Sequence, residues 1–284
     1  MSHRKIVIIQ YNHQEVIRGD KTQFNVYNKW IDEKRDKPAD YHEKINQCDV
    51  RHWIDKFSRE YWKILLDSRW IKEAQTVYIV NQTFSTIFED EMDEIIEKYQ
   101  YLFAKGEKYF VRGEGCSLKY GKHGIGPYSN MRQILESVIS SPLTHSVLRD
   151  SENSCTLYLF PWNSDLIYYK EFRVFVYQNR INAISQQHLY EANSIISAMN
   201  DTEIENMVRQ IVDYFETVVR ERMTYLENYA MDLVFIGSSP YFIEVNPFGG
   251  DYGAGSALFN WQTDRGILES TGDDPIYFAY VMVE

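Results

Sequence analysis

Residues 229–261 read YAMDLVFIGSSPYFIEVNPFGGDYGAGSALFNW, and two apolar runs in them decide the fold. Met231 to Ile236 is the first run and Tyr241 to Phe248 the second, with Gly237-Ser238-Ser239-Pro240 as turn chemistry between them. This predicts a β-hairpin. Each run carries polar interruptions: Asp232 in the first, Glu244 and Asn246 in the second. Strand side chains alternate, so Glu244 and Asn246 share a face, roughly 7 Å apart along the chain. Tyr241, Ile243 and Val245 are expected on the other face. Pairing of the strands brings Asp232 to the side of Glu244 and Asn246. Two carboxylates and an amide oxygen then converge, and such a group is costly without a counter-charge. Hard oxygen ligands suit Mg²⁺, which keeps some waters and shares its other positions with nucleotide phosphates. The plainer alternative is a hairpin whose polar residues face water.

Working outward, the 284 residues suffice for one large domain or two lobes. Apolar content is 44% and aromatic content 15%, which is a folded chain. A net charge of −11 argues against general nucleic-acid binding, since phosphate contacts need a basic surface. Cys48, Cys116 and Cys155 are too scattered for a disulfide framework or a metal-ligand pair, so a reducing compartment and a cytoplasmic location are expected. No apolar run is long enough for a membrane span or a signal segment.

Along the chain, Lys5 to Gln10, Thr76 to Val80, Tyr109 to Arg112 and Leu157 to Trp162 read as strands. Glu171 to Val176 and Ile181 to Gln187 read as a hairpin turning at Gln178 to Arg180. Amphipathic spacing predicts helices over 50–67, behind a capping box at Thr86 and Glu89 with Gly106 closing, after Ser129, and after Thr202 and Glu205. The charge run Asp32 to Lys37 and residues 143–154 read as solvated segments. Mixed strands and helices with hairpins towards the C-terminus predict an α+β protein, antiparallel sheet covered by helices.

Three features are candidates for holding phosphates. Arg112 ends a strand just before the glycine-rich loop Gly113 to Pro127. The loop glycines let backbone N–H groups approach phosphate oxygens, and Lys119 and Lys122 add point charges. The loop has neither a Walker nor a Rossmann spacing, and a flexible surface hairpin has the same composition. Arg173 lies mid-strand, sharing a face with Glu171 and Phe175. A buried Arg requires an anion: a phosphate, or an ion pair with Glu171 or with the Asp232 group.

A basic strand end with a glycine loop, a strand whose end can present backbone to a base, a strand Arg and the Asp…Glu-x-Asn hairpin follow one another along the chain, an order that resembles ATP-grasp nucleotide sites. EFRVFVYQNRINAISQQHLYE, residues 171–191, and MDLVF, YFIEVNPFGG and SALFNW within residues 231–261, resemble the cell division cycle protein 123 family. The resemblance covers roughly residues 108–265. It implies an ATP-grasp-like fold of two lobes with the nucleotide cleft between them, and binding of ATP with Mg²⁺. It also implies a role in assembling eukaryotic translation initiation factor 2 through its gamma subunit. The implied organisation is an N-terminal lobe over 1–106, a loop-bearing small lobe over 107–156 and a C-terminal lobe over 157–284. The implied metal group is Asp232, Glu244 and Asn246, with Glu244 standing where the family usually has aspartate. Arg173 matches the family's strand arginine, and Ser117 and Lys119 its nucleotide loop; if the protein is an enzyme, Arg173 and Lys119 are the catalytic candidates. Leu159, Phe160 and Trp162 lie on the implied hinge strand, whose backbone meets the adenine. Arg112 replaces a lysine, and Phe160 and Gln187 replace basic residues. An ATP-grasp ligase joining a carboxylate or phosphate group to a nucleophile is the alternative, and a scaffold that binds no nucleotide is a third.

Overall fold

The computed structural model describes residues 4–18, 36–57, 60–81, 88–141, 154–166 and 170–283. Nine strands run through the described residues. They are β1 (Ile6–Asn12), β2 (Trp62–Asp67), β3 (Tyr109–Arg112), β4 (Ser154–Pro161), β5 (Glu171–Tyr177), β6 (Arg180–Gln186), β7 (Tyr229–Ile236), β8 (Ser239–Pro247) and β9 (Ile276–Met282). The chain divides into two compact units, residues 1–48 with 164–284, and residues 49–163. Among the described residues, no helix is long and apolar enough to cross a membrane.

The larger unit is built on a six-stranded sheet in the order β1-β9-β6-β5-β7-β8. The two hairpins read from the sequence are both present. β5 and β6 pair antiparallel and turn at Gln178 and Asn179, both with positive φ (49° and 56°). A left-handed pair of this kind matches the twist of the strands it joins. β7 and β8 pair antiparallel around Gly237, whose φ is 62°. The β1–β9 and β6–β9 pairs are parallel, so the antiparallel sheet has a parallel margin. β7 is buried over all but its last residue, as a central strand with both faces covered should be. On one face Phe172 packs edge-on against Phe235 and tilted against Phe278. The helix Asp201–Tyr214 lies against β8 and β1 and buries Ile204, Val208 and Ile211. On the other face Phe175 meets Phe259 and Trp261 at ring-centroid distances of 5.6 and 5.3 Å. Those contacts fasten the segment after β8 over the sheet.

The smaller unit has the three-stranded antiparallel sheet β2-β4-β3 and a core of its own, including Ile64, Leu66, Ile71, Val111, Ile134, Leu135, Val138 and Leu157.

Several expectations are corrected. A helix over 50–67 is replaced by the helix Val50–Phe57 and strand β2. In β2 exposure alternates, because Ile64 and Leu66 point into the core while Lys63 and Leu65 do not. The strand expected at Thr76 to Val80 is the C-terminal part of the helix Ser68–Asn81. β-branched residues fit either state, and packing of this helix against the helix Met131–Ser140 decides. The helix expected after Thr202 is capped two residues earlier, by Asn200 and Glu203. Asn130, rather than Ser129, caps the helix Met131–Ser140, its side chain accepting from Gln133 N. Gly106 does close the preceding helical segment, with φ 80° and its N–H on the Phe103 carbonyl. In β8 a bulge follows Asp232 in the register, so Phe242 is the buried residue while Tyr241 is 39% exposed. Thr86, residues 143–153 and residues 32–35 of the charge run lie outside the described residues.

Candidate functional site

Register assembles the polar group of the larger unit. Across β6, β5, β7 and β8, Ser185, Arg173, Asp232 and Glu244 are successive partners. Paired residues of neighbouring strands face the same side, so the four form one row across the sheet. Asn246, opposite Ala230, stands two positions further along β8.

Arg173 forks onto Asp232, with Nε to Oδ1 at 2.9 Å and Nη2 to Oδ2 at 2.7 Å. This is the bidentate geometry in which Arg–carboxylate pairs are strongest. Nη1 donates to the carbonyl of Gly255 at 2.7 Å. Asn246 Nδ2 donates to Asp232 Oδ2 at 3.2 Å and to Glu244 Oε1 at 3.4 Å. Asp232 is 1% and Arg173 7% exposed. Burial pushes the Asp232 carboxyl up to about 7; Arg173 pulls the other way, and Glu244 and Glu171 add to the rise. Burial opposes the charge on Arg173, yet the charge of Asp232 and its hydrogen bonds outweigh that and raise the guanidinium. Of the anions open to Arg173 in the sequence, the protein supplies Asp232. Glu171, on the same face, pairs with His188 at 3.5 Å.

Among the described residues, no group of three or more His, Cys, Asp or Glu forms a metal site. The Asp232 group is two carboxylates and an amide. Mg²⁺ is commonly held by one or two carboxylates with waters and phosphate oxygens, so this donor set fits it. Asn246 presents its nitrogen to both carboxylates, and serving a cation through its oxygen requires the amide to rotate.

In the smaller unit, Arg112 is 4% exposed and its guanidinium lies 5.2 Å from the centroid of the Trp53 ring. Arg112 also forms an isolated bridge with Ser117. Lys119 is exposed and lies over the Tyr120 ring. Lys122 pairs with Glu136 at 2.9 Å, beside His123 at 2.6 Å. Much of the loop's glycine content serves its own backbone. The N–H groups of Gly113, Gly121 and Gly124 donate to Cys116, Leu118 and Gly121 carbonyls. A Cβ on Gly121 would sit 2.4 Å from the Ser137 carbonyl oxygen. Leu159 is fully buried at the centre of the sheet, opposite Trp62 and Val111. The ladder to β2 ends there; Phe160 pairs with Phe110, and Trp162 N–H donates to the Lys108 carbonyl.

Sequence reasoning missed the Gly255 carbonyl, which no side-chain pattern marks. It also missed buried Asp49 and Glu114 in the smaller unit. Arg51 pairs with Asp49 at 3.0 Å and stands 3.9 Å from Glu114. Asp49 stands between Cys48 and Val50 and Glu114 inside the glycine-rich loop, and neither setting marks its carboxylate as buried.

A mixed α/β chain with antiparallel sheets and a buried Arg–carboxylate row is thus defined. The D123 family model matches residues 132–277, more than half of the chain, and the protein belongs to that family, the Cdc123 family. The structure resembles Cdc123 from Schizosaccharomyces pombe with a TM-score of 0.58 at 16% identity, covering 85% of this chain and 98% of that one. A C-terminally truncated form of the same protein gives 0.57 at 17%, with the same coverage. A RimK domain ATP-grasp protein from Sphaerobacter thermophilus gives 0.36 at 13%, covering 78% of this chain and 63% of that one. No curated protein sequence matches.

Proposed function

We propose that the protein binds ATP with Mg²⁺ and uses the complex to assemble eukaryotic translation initiation factor 2 through its gamma subunit. The observation that carries the nucleotide reading is the convergence of Asp232, Glu244 and Asn246 beside Arg173. Membership of the Cdc123 family supports the assembly role through the resemblance described above. Asp232, Glu244 and Asn246 are the residues to hold Mg²⁺, which supplies positive charge to phosphate oxygens. Ser117, Lys119 and Arg112 are the candidates for phosphate contacts, and the backbone around Phe160 and Trp162 for the adenine. Lys119 is best suited to a mobile point charge, since its ammonium is exposed.

Calorimetry with ATP and Mg²⁺ on the wild type and Asp232→Ala tests the reading, with a product assay on the same samples. Binding in the wild type and its loss in the variant is the expected result, with a stable gamma-subunit complex in the presence of ATP. Steady ADP or AMP formation dependent on an added acceptor would replace the assembly role with a ligase. No binding by the wild type would remove the nucleotide reading altogether.

A further inference from the structure

Three N–H groups of Arg173 are spent within the site, two on Asp232 and one on Gly255. Asp232 accepts a third hydrogen bond from Asn246. An ionised carboxylate has about four acceptor positions, so about one remains. A cation held by more than that one position must take the rest from the Arg173 fork or from Asn246. Arg173 and a divalent cation therefore compete for one carboxylate.

The two ends of Arg173 differ in how firmly they are held. Gly255 lies in the segment that Trp261 Nε1 ties to the Ala254 carbonyl at 2.9 Å and Leu258 N–H ties to Ser185 Oγ at 3.1 Å. The rings of Phe259 and Trp261 fasten the same segment to Phe175. The bond to Gly255 is thus the fixed end, and the two bonds to Asp232 are those a cation can replace. A guanidinium set loose at this depth needs another anion, because a buried unpaired charge is costly.

We propose that Arg173 is a counter-ion latch. It holds Asp232 against a divalent cation and passes to an anionic oxygen of the incoming ligand when the cation binds. The inference rests on the Mg²⁺–ATP reading and adds a consequence to it. Metal without phosphate binds weakly, and the two ligands bind in concert, since each relieves the charge the other leaves.

The test measures Mn²⁺ alone, by the spin-resonance signal of the free ion, on the full chain. Wild type is compared with Arg173→Lys, which keeps the charge and loses the fork, and with Arg173→Met. The latch predicts that Arg173→Lys binds Mn²⁺ about tenfold tighter than wild type, a coupling within the usual allosteric range. Equal affinity in wild type and Arg173→Lys overturns it, including when Arg173→Met alone binds tighter, since charge and not the fork then decides. No Mn²⁺ binding by any of the three overturns the metal reading and the latch together. A second measurement needs no variant. The Nε–H resonance of Arg173 in the wild type is followed through a Mg²⁺ titration. Its shift and faster solvent exchange support the latch. Titration of the Asp232 and Asn246 backbone signals with an unmoved Arg173 Nε–H overturns the latch and leaves the metal reading standing.

Discussion

Asn246 donates from one nitrogen to two carboxylates, and its replacement separates two roles of the amide. Asn246→Asp puts a third carboxylate where a donor stood. The protein should lose about 1–3 kcal/mol of stability in chelator, the cost of a buried polar group left without its partner. Urea unfolding in chelator and again in excess Mg²⁺ checks this, with the deficit shrinking in Mg²⁺. Glu136 shows residue-scale electrostatics in the smaller unit. Burial raises its carboxyl, but hydrogen bonds from His123 and Lys122 outweigh that and hold it below its ordinary 4.5. A depressed carboxyl contributes stability above the unfolded value, and that contribution is lost as pH falls through the folded one. Glu136→Gln should therefore cost about 1 kcal/mol at pH 7, and wild type and variant should converge below pH 4.5. Thermal unfolding across pH 3–7 reads the convergence. At this scale the sequence showed Asp232, Glu244, Asn246 and Arg173 as odd residues in apolar strands. Which anion Arg173 takes was not legible, because Glu171 on its own strand offers the same charge.

At the scale of elements, Asp67 ends β2 and caps the helix that follows. Its Oδ1 accepts from Arg69 N at 2.8 Å and Trp70 N at 3.3 Å. Those backbone hydrogen bonds lower its carboxyl. Asp67→Ala should destabilise by about 1 kcal/mol, measured by denaturant unfolding, and Asp67→Asn by less. Gly121 is bound by close approach to the helix Met131–Ser140 rather than by ligand binding. Gly121→Ala should cost on the order of 2 kcal/mol, because its Cβ meets backbone that cannot step aside. If nucleotide affinity falls in that variant while stability does not, the loop's glycines serve the ligand after all. The hairpins were legible because turn chemistry and alternation are local. Strand and helix were confused at 62–67, where Ile64 and Leu66 turn inward from an otherwise exposed strand, and at 76–80, which continues a helix buried through Ile71, Ala74 and Gln75.

For the whole molecule, the smaller unit is one continuous stretch of sequence, and the larger is drawn from the residues before and after it along the chain. The smaller unit's sheet and its buried cluster draw only on its own residues. Residues 49–163 expressed alone should unfold in one cooperative transition, followed by circular dichroism; a non-cooperative melt would refute an independent core. The sequence by itself determined the class of fold, both C-terminal hairpins and the face on which the carboxylates gather. Each follows from alternation and turn residues within a few positions of one another. The tertiary structure alone decided that Arg173 forks onto Asp232 across 59 positions, that the Gly255 carbonyl holds its far end, and that β1 and β9 close the sheet margin in parallel. Those choices turn on which groups are buried together. A buried charge takes the partner that the packed chain brings to it, and local pattern does not say which partner that is.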